Sequence, residues 1–203
     1  MSDHPTIVIV PGWRDSGPGH WQSLWTECFS GTVRVKQDNW HNPVREAWVA
    51  AITRTILEQN GPVVIVAHSL GCIAVTHLPP QAVQRIHSAL LVAPADPERR
   101  AVLADFAPVP CQKLPYHSIL VASGNDPYCP VRLAGAYARG WGSEFVRLPE
   151  AGHINVESGH GNWPLGVALL QSLVGEGGLV ARVDRRTPAH KPPSSPNASL
   201  RAA

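Results

Sequence analysis

A serine stands at the end of an apolar run in V-V-I-V-A-H-S-L-G, residues 63–71. A buried strand that stops on a hydroxyl and leads at once into a helix is typical of a nucleophile elbow, whose strained turn would expose the hydroxyl of Ser69. Such a turn needs small neighbours, and Ala67 and Gly71 stand two before and two after the serine. The motif is usually written G-x-S-x-G, so Ala67 departs from it in identity but keeps the small size. A serine that only caps the next helix would explain Ser69 as well.

An acid and a histidine follow the serine in loops after later strands. Asp126 lies in S-G-N-D-P-Y-C-P and His153 lies in L-P-E-A-G-H-I-N. Serine, acid and histidine is the chain order of elbow enzymes, and all three fall at the carboxyl ends of parallel strands, where open α/β sheets carry their sites. Alone, Asp126 reads equally as a turn residue before Pro127, and His153 as a surface histidine. Together, order and context predict Ser69, Asp126 and His153 as the catalytic residues.

Two other histidines lie near these motifs and compete for the role of base. His68 directly precedes Ser69, so we expect its side chain to point away from the serine. His160 lies in a glycine-flanked stretch that could also reach the cleft. We favour His153 because Gly152 provides a tight turn directly after the sixth strand.

The loop after the first strand, P-G-W-R-D-S-G-P-G, supplies a fourth part. A tetrahedral oxyanion is best held by two donors, and we expect the backbone N–H groups of Trp13 and Leu70 to form this oxyanion hole. Gly12 lets the backbone turn closely there. The alternative is a plain glycine-rich loop. A phosphate-binding loop is disfavoured because Pro18 stands where a Walker lysine is needed.

Short apolar runs alternate with helical patterns along the chain. The predicted strands are Thr6–Val10, Thr32–Lys36, Val63–Ala67, Ser88–Ala93, Ser118–Ala122 and Glu144–Leu148. The predicted helices are Gly19–Cys28, Pro43–Gln59, Leu70–Leu78, Pro130–Arg139 and Pro164–Val174. The second helix has the clearest helical stride of apolar residues, and Pro43 suits its first turn.

This alternation predicts an α/β protein in which helices form layers on both faces of a mostly parallel six-stranded sheet. We expect the strand order 2-1-3-4-5-6, because the Trp13 loop must lie beside Ser69. Residues 1–176 are predicted to form one domain. Residues 177–203 are rich in Pro, Ser and Arg, and this composition predicts a disordered tail.

Composition narrows the function classes. The formal charge of +2 and the charged fraction of 16% give no field that would favour nucleic acid or a membrane surface. The four cysteines are scattered without zinc spacing, and no signal peptide or bilayer-spanning run is seen. We therefore expect a cytoplasmic protein with reduced thiols, no metal and no cofactor, although two disulfides remain an alternative. Its expected partner is a small acyl substrate, and a protein partner is left open.

The ordered motifs resemble those of a known family. They are P-G-W-x-x-S-G-P-x-H-W-Q-S-L-W, Q-D-N-W, H-S-L-G-C, N-D-P-Y-C-P and A-G-H-I-N-V-E-S-G-H-G, which together cover most of residues 6–174. The chain is similar to the small serine hydrolases grouped with retinoblastoma-binding protein 9 and YdeN. The resemblance implies a three-layer α/β-hydrolase fold with Ser-Asp-His catalysis and little or no lid. The short stretch between Ala95 and Leu114 agrees with this, because it allows a short helix but no cap domain.

The function expected from these features is hydrolysis of small acyl esters through an acyl-enzyme. An amidase, a peptidase or an acyl transferase would use the same residues. A binding protein on a hydrolase scaffold, with a weak or idle triad, is the alternative from another class, and a flavodoxin-like nucleotide binder is a third. We expect Gly12, Trp21 and His68 to line the substrate pocket, with Trp13, Trp21 or Trp25 as its walls, and packing in the core explains Trp25 equally well.

Overall fold

The computed structural model describes residues 5–175 and 178–182. Its centre is a six-stranded sheet in which all neighbouring strands are parallel and the order is β2-β1-β3-β4-β5-β6. The strands are β1 Thr6–Val10, β2 Thr32–Arg34, β3 Val63–His68, β4 Ile86–Val92, β5 His117–Ser123 and β6 Glu144–Leu148. The predicted fold class and strand order are confirmed.

The register of the central strands places the end of β1 beside the serine. Val10 is the partner of Ala67, so the chain leaves β1 next to the point where β3 turns at Ser69. Every residue of β3 is buried, as expected of a parallel strand covered on both faces. Strand pairing alone therefore places the loop after β1 against the elbow.

Among the described residues, six α-helices accompany the strands. They are α1 Trp21–Cys28, α2 Arg45–Leu57, α3 Leu70–Thr76, α4 Pro80–Val83, α5 Val131–Trp141 and α6 Pro164–Val174. Buried side chains of α2, α3 and α5 form one core with one face of the sheet, and those of α1 and α6 form a second core with the other face. The molecule thus has the predicted three layers.

Several element ends differ from the predicted ones. Helix α1 begins at Trp21 rather than Gly19, because the side chain of His20 accepts a hydrogen bond from Gln22 N and caps the helix. Helix α2 begins at Arg45, so Pro43 lies before the helix and not in its first turn. The four-residue α4 was not predicted.

The segment where larger relatives carry a cap is short here. It contains 3₁₀ helices at Pro97–Arg99 and Ala101–Phe106, and the expected short helix corresponds to the second of them. Leu103 and Phe106 are buried against the main core. The segment therefore packs onto the domain, and no cap domain is evident among the described residues.

The last described residues run beside α1 and β2. Ala181 forms an antiparallel bridge with Phe29, and Arg182 Nε donates to the Phe29 carbonyl at 2.9 Å. Residues 183–203, most of the predicted tail, lie outside the described residues, so the domain boundary and the disordered tail stay predictions. Across the part of the chain described, no helix has the length and apolar character needed to cross a membrane.

Candidate active site

The turn that carries Ser69 has the backbone conformation of a strained elbow. Ser69 has φ +54° and ψ −121°, a region that residues other than glycine rarely enter. A Cβ built at Gly71 would lie 2.5 Å from the Val10 carbonyl oxygen, and one built at Gly12 would lie 2.7 Å from Ser69 Cβ. Backbone passes directly against Gly71 and the serine side chain directly against Gly12, so neither position has room for a Cβ, which explains the glycine two positions after the serine.

Ser69, His153 and Asp126 lie in one hydrogen-bonded row. His153 Nε2 is 2.9 Å from Ser69 Oγ, and His153 Nδ1 is 3.0 and 2.9 Å from the two carboxylate oxygens of Asp126. All three residues are buried. The loops after β3, β5 and β6 each deliver one member to the same edge of the sheet, so the structure brings the three predicted residues together.

The carboxylate of Asp126 fixes the tautomer of His153. A carboxylate accepts hydrogen bonds, so the ring proton lies on Nδ1, and Nε2 is left to accept the proton of Ser69 Oγ. Asp126 Oδ1 also accepts from Tyr128 N at 2.8 Å. The Tyr128 ring lies against the imidazole, with the ring centroids 4.3 Å apart. The row can therefore withdraw a proton from the serine while the imidazole keeps its orientation.

A second polar group, the side chain of Asn125, ties the acid loop to the histidine loop. The side-chain oxygen of Asn125 accepts from Gly152 N at 2.8 Å and from Ser123 Oγ at 2.7 Å. Ser123 Oγ in turn accepts from Ala151 N at 2.8 Å. These bonds hold the residues directly before His153 against the residues directly before Asp126. Sequence reasoning missed Asn125, although its position in N-D-P-Y, next to the predicted acid, was the available signal.

His68 supports the His153 loop from below. Its Nε2 lies 2.9 Å from the His153 carbonyl oxygen, and its ring packs against that of His153 with centroids 4.8 Å apart. Burial holds the pKa of His68 well below its usual value, and the neighbouring His153 and His20 lower it further. His68 is therefore neutral and donates from Nε2 to the carbonyl, and, as expected, it does not bond to Ser69.

His160, the third histidine considered, is partly buried and bonds elsewhere. Its Nδ1 lies 3.2 Å from Ser158 Oγ, and its backbone N–H donates to the Asn155 carbonyl. It does not line the cleft at Ser69.

The two expected oxyanion donors have no partner of their own. Within residues 5–175 and 178–182, the backbone N–H groups of Trp13 and Leu70 make no hydrogen bond. Leu70 begins α3, where first-turn N–H groups carry partial positive charge. The Trp13 indole is anchored by its Nε1, which donates to the His41 carbonyl at 2.9 Å. These two N–H groups lie on the loops that meet at Ser69 and are free to donate hydrogen bonds to the carbonyl oxygen of an acyl group.

A cleft of about 490 Å³ opens over Ser69. Among its lining residues are Trp13, Arg14, His20, His68, Arg100, Tyr128 and Glu157. The expectation that Trp21 lines the pocket is wrong, because its side chain is fully buried beneath the site and its Nε1 donates to the Ile154 carbonyl. Trp25 is likewise a core residue, stacked on Trp163. Trp13 does form a wall. The expectation that Gly12 lines the pocket is wrong, because Gly12 is not among the lining residues and instead packs against Ser69 of the elbow.

Comparisons with known proteins identify the family. The family model described as Serine hydrolase matches residues 7–172. The chain belongs to the serine hydrolase family. A putative YdeN-like hydrolase from Pectobacterium atrosepticum is 36% identical, with 86% of this chain and 95% of that chain covered and a TM-score of 0.77. This relative places the serine hydrolase described here beside the YdeN-like hydrolases.

More distant structures share the fold. The ydeN gene product of B. subtilis is 18% identical, with 83% of this chain and 98% of that chain covered and a TM-score of 0.67. Est1E from Butyrivibrio proteoclasticus, solved with ferulic acid, is 13% identical, with 83% and 88% covered and a TM-score of 0.63. None of the curated proteins searched matches the chain.

Proposed function

We propose that this serine hydrolase cleaves small carboxylic esters by forming an acyl-enzyme on Ser69. The observation that carries the proposal is the continuous hydrogen-bonded row from Ser69 Oγ through His153 to Asp126. That row ends in a cleft next to two backbone N–H groups that have no partner among the described residues. Nucleophile, base, orienting acid and oxyanion donors are the four parts that acyl transfer needs.

In the first step Ser69 Oγ attacks the ester carbonyl while His153 Nε2 takes the hydroxyl proton. The carbonyl oxygen gains negative charge and accepts from the N–H groups of Trp13 and Leu70. Asp126 stays ionised and stabilises the imidazolium through Nδ1. Collapse of the tetrahedral intermediate breaks the bond to the alkoxy group, which leaves with the proton carried by His153.

In the second step water replaces the alcohol. His153 Nε2 takes a proton from the water, the resulting hydroxide attacks the acyl-enzyme carbonyl, and the carboxylic acid leaves as His153 returns the proton to Ser69. These steps use only side chains, backbone groups and water. The cleft of about 490 Å³ lies within the size range of pockets for small ligands.

Steady-state kinetics with p-nitrophenyl acetate, butyrate and octanoate, and with butyryl-p-nitroanilide, test this proposal. We expect ester turnover that Ser69→Ala abolishes, with butyrate preferred over octanoate and the anilide much slower. Faster cleavage of the anilide would make the protein an amidase. An absence of turnover on every substrate in a folded protein would favour the alternative of a binding protein on a hydrolase scaffold.

A further inference from the structure

Two arginines meet at one wall of the cleft. The guanidinium carbon of Arg14 lies 4.2 Å from the ring centroid of Trp13, and that of Arg100 lies 5.6 Å from it. Arg100 also lies 4.8 Å from the ring of Tyr128, which itself packs against His153. Both cations therefore stand on aromatic side chains of the site, although they come from different loops.

The guanidinium N–H groups of Arg14 and Arg100 have no hydrogen-bond partner among the described residues. Within that part of the chain, neither side chain makes an ion pair. By contrast, Arg99 Nη1 donates to the Pro127 carbonyl and Arg99 Nε lies 3.9 Å from Asp96. A guanidinium stacked on an aromatic face keeps its edge N–H groups free for a planar acceptor.

The acidic side chains of the cleft do not neutralise the pair. Asp15 is paired with Arg34, and Asp96 accepts from Glu98 N besides its contact with Arg99. Glu157 lines the cleft without an ion-pair partner among the described residues. Of the acidic side chains that line the cleft, only Glu157 is left to oppose Arg14 and Arg100, so the Trp13 wall carries more positive than negative charge.

The backbone at Arg14 and Asp15 adopts a conformation that is unfavourable for residues other than glycine. Arg14 and Asp15 have φ of +69° and +65°, and neither is glycine. Such conformations persist only where surrounding contacts enforce them, and they cluster at functional sites. Arg14 N donates to the Trp40 carbonyl and Asp15 N donates to the Gly12 carbonyl. These two hydrogen bonds hold the loop after β1 in this conformation.

We infer that the preferred substrate is an ester that carries a carboxylate, which Arg14 and Arg100 bind at the Trp13 wall. This inference rests on the proposed ester hydrolysis and names its substrate class. A carboxylate presents two oxygens in the plane that a guanidinium edge recognises. Binding of this carboxylate would orient the ester in the cleft, because the other proposed contacts to the ester are all made at its carbonyl group.

The test compares esters that differ only in charge. On the acyl side, p-nitrophenyl hydrogen glutarate is compared with p-nitrophenyl pentanoate. On the alcohol side, 4-butyryloxybenzoate is compared with 4-butyryloxybenzamide. We expect kcat/KM to favour the carboxylate member of at least one pair by about tenfold or more at low salt, since charge-assisted hydrogen bonds are the stronger ones. This preference should fall as salt is added.

Three variants separate charge recognition from general damage. Arg100→Gln should lower the preference about tenfold, whereas Glu157→Gln should raise it, and Arg139→Gln, on an exposed part of α5, should leave it unchanged. Turnover of neutral esters that depends on Ser69, with no preference in either pair, would overturn this inference and leave the proposed function standing. Failure of every ester would overturn both.

Discussion

His20 offers a quantitative test of how the floor of the site is built. Its Nδ1 accepts from Gln22 N at 3.2 Å and caps α1, so the proton lies on Nε2. That atom is buried and has no partner among the described residues. Burial lowers the pKa of His20 from 6.5 to about 4, and the neighbouring Arg34 and His153 lower it further.

The sign of the pH effect follows from this depressed pKa. Between pH 6.5 and about 4 the unfolded chain binds a proton that folded His20 does not, so the free energy of unfolding falls as the pH falls through that window. Each unit of pKa corresponds to about 1.4 kcal/mol, so the shift of His20 from 6.5 to about 4 contributes a loss of at most about 3.5 kcal/mol. Below pH 4 its contribution is flat.

Replacement of His20 by Asn removes the titration and keeps the cap, because asparagine is a good N-cap residue. Urea unfolding of both proteins at pH 7.5, 5.5 and 4.5 measures the difference. We expect the variant to lose up to about 3 kcal/mol less than the wild type on acidification, with a remaining loss from His68, whose pKa is also lowered. His87→Asn, at an exposed position of β4, should lose as much as the wild type. Parallel curves for His20→Asn and wild type would refute the reasoning.

Three further predictions concern the groups around Ser69. Asp126→Asn should keep the thermal midpoint but lower kcat for p-nitrophenyl butyrate by about 10⁴, because the imidazole loses its tautomer and its charge partner; near-normal turnover would place the acid elsewhere, Asp96 being the next candidate. His68→Ala should lower the free energy of unfolding by about 1–3 kcal/mol in urea, because the buried His153 carbonyl loses its donor; an unchanged value would remove that supporting role. Gly71→Ala should abolish ester turnover and lower the thermal midpoint, because the new Cβ meets two carbonyl oxygens, and a fully active variant would contradict the close approach.

The sequence was sufficient for the sheet and for the residues that follow directly on its strands. Ser69, Asp126 and His153 each come at the carboxyl end of a strand, and parallel pairing gathers those ends at one edge. Alternation of apolar runs and helical stretches predicted a mostly parallel sheet, and the need to place the Trp13 loop beside Ser69 predicted the order of its strands. Local signals were enough here because each residue lies within five positions of the end of a strand that is itself easily recognised.

The features that could not be predicted from the sequence depend on contacts between segments that are distant along the chain. Trp21 was expected on a pocket wall, but it packs among His68, Trp25 and Trp163 below the site. The cap formed by His20 shortens α1, and the stacking of Arg100 on two aromatic rings joins loops that are distant in sequence. The periodicity of apolar residues does not predict these arrangements, because they depend on which loops the sheet brings together.

The central claim is that His153 activates Ser69. The most direct measurement is labelling by an active-site fluorophosphonate, with the modified peptide located by mass spectrometry in wild type, His153→Ala and His160→Ala proteins of matched thermal stability. We expect the label on Ser69 in the wild type and in His160→Ala, and no label in His153→Ala. Labelling at another residue, or labelling that survives His153→Ala and is lost in His160→Ala, would contradict it.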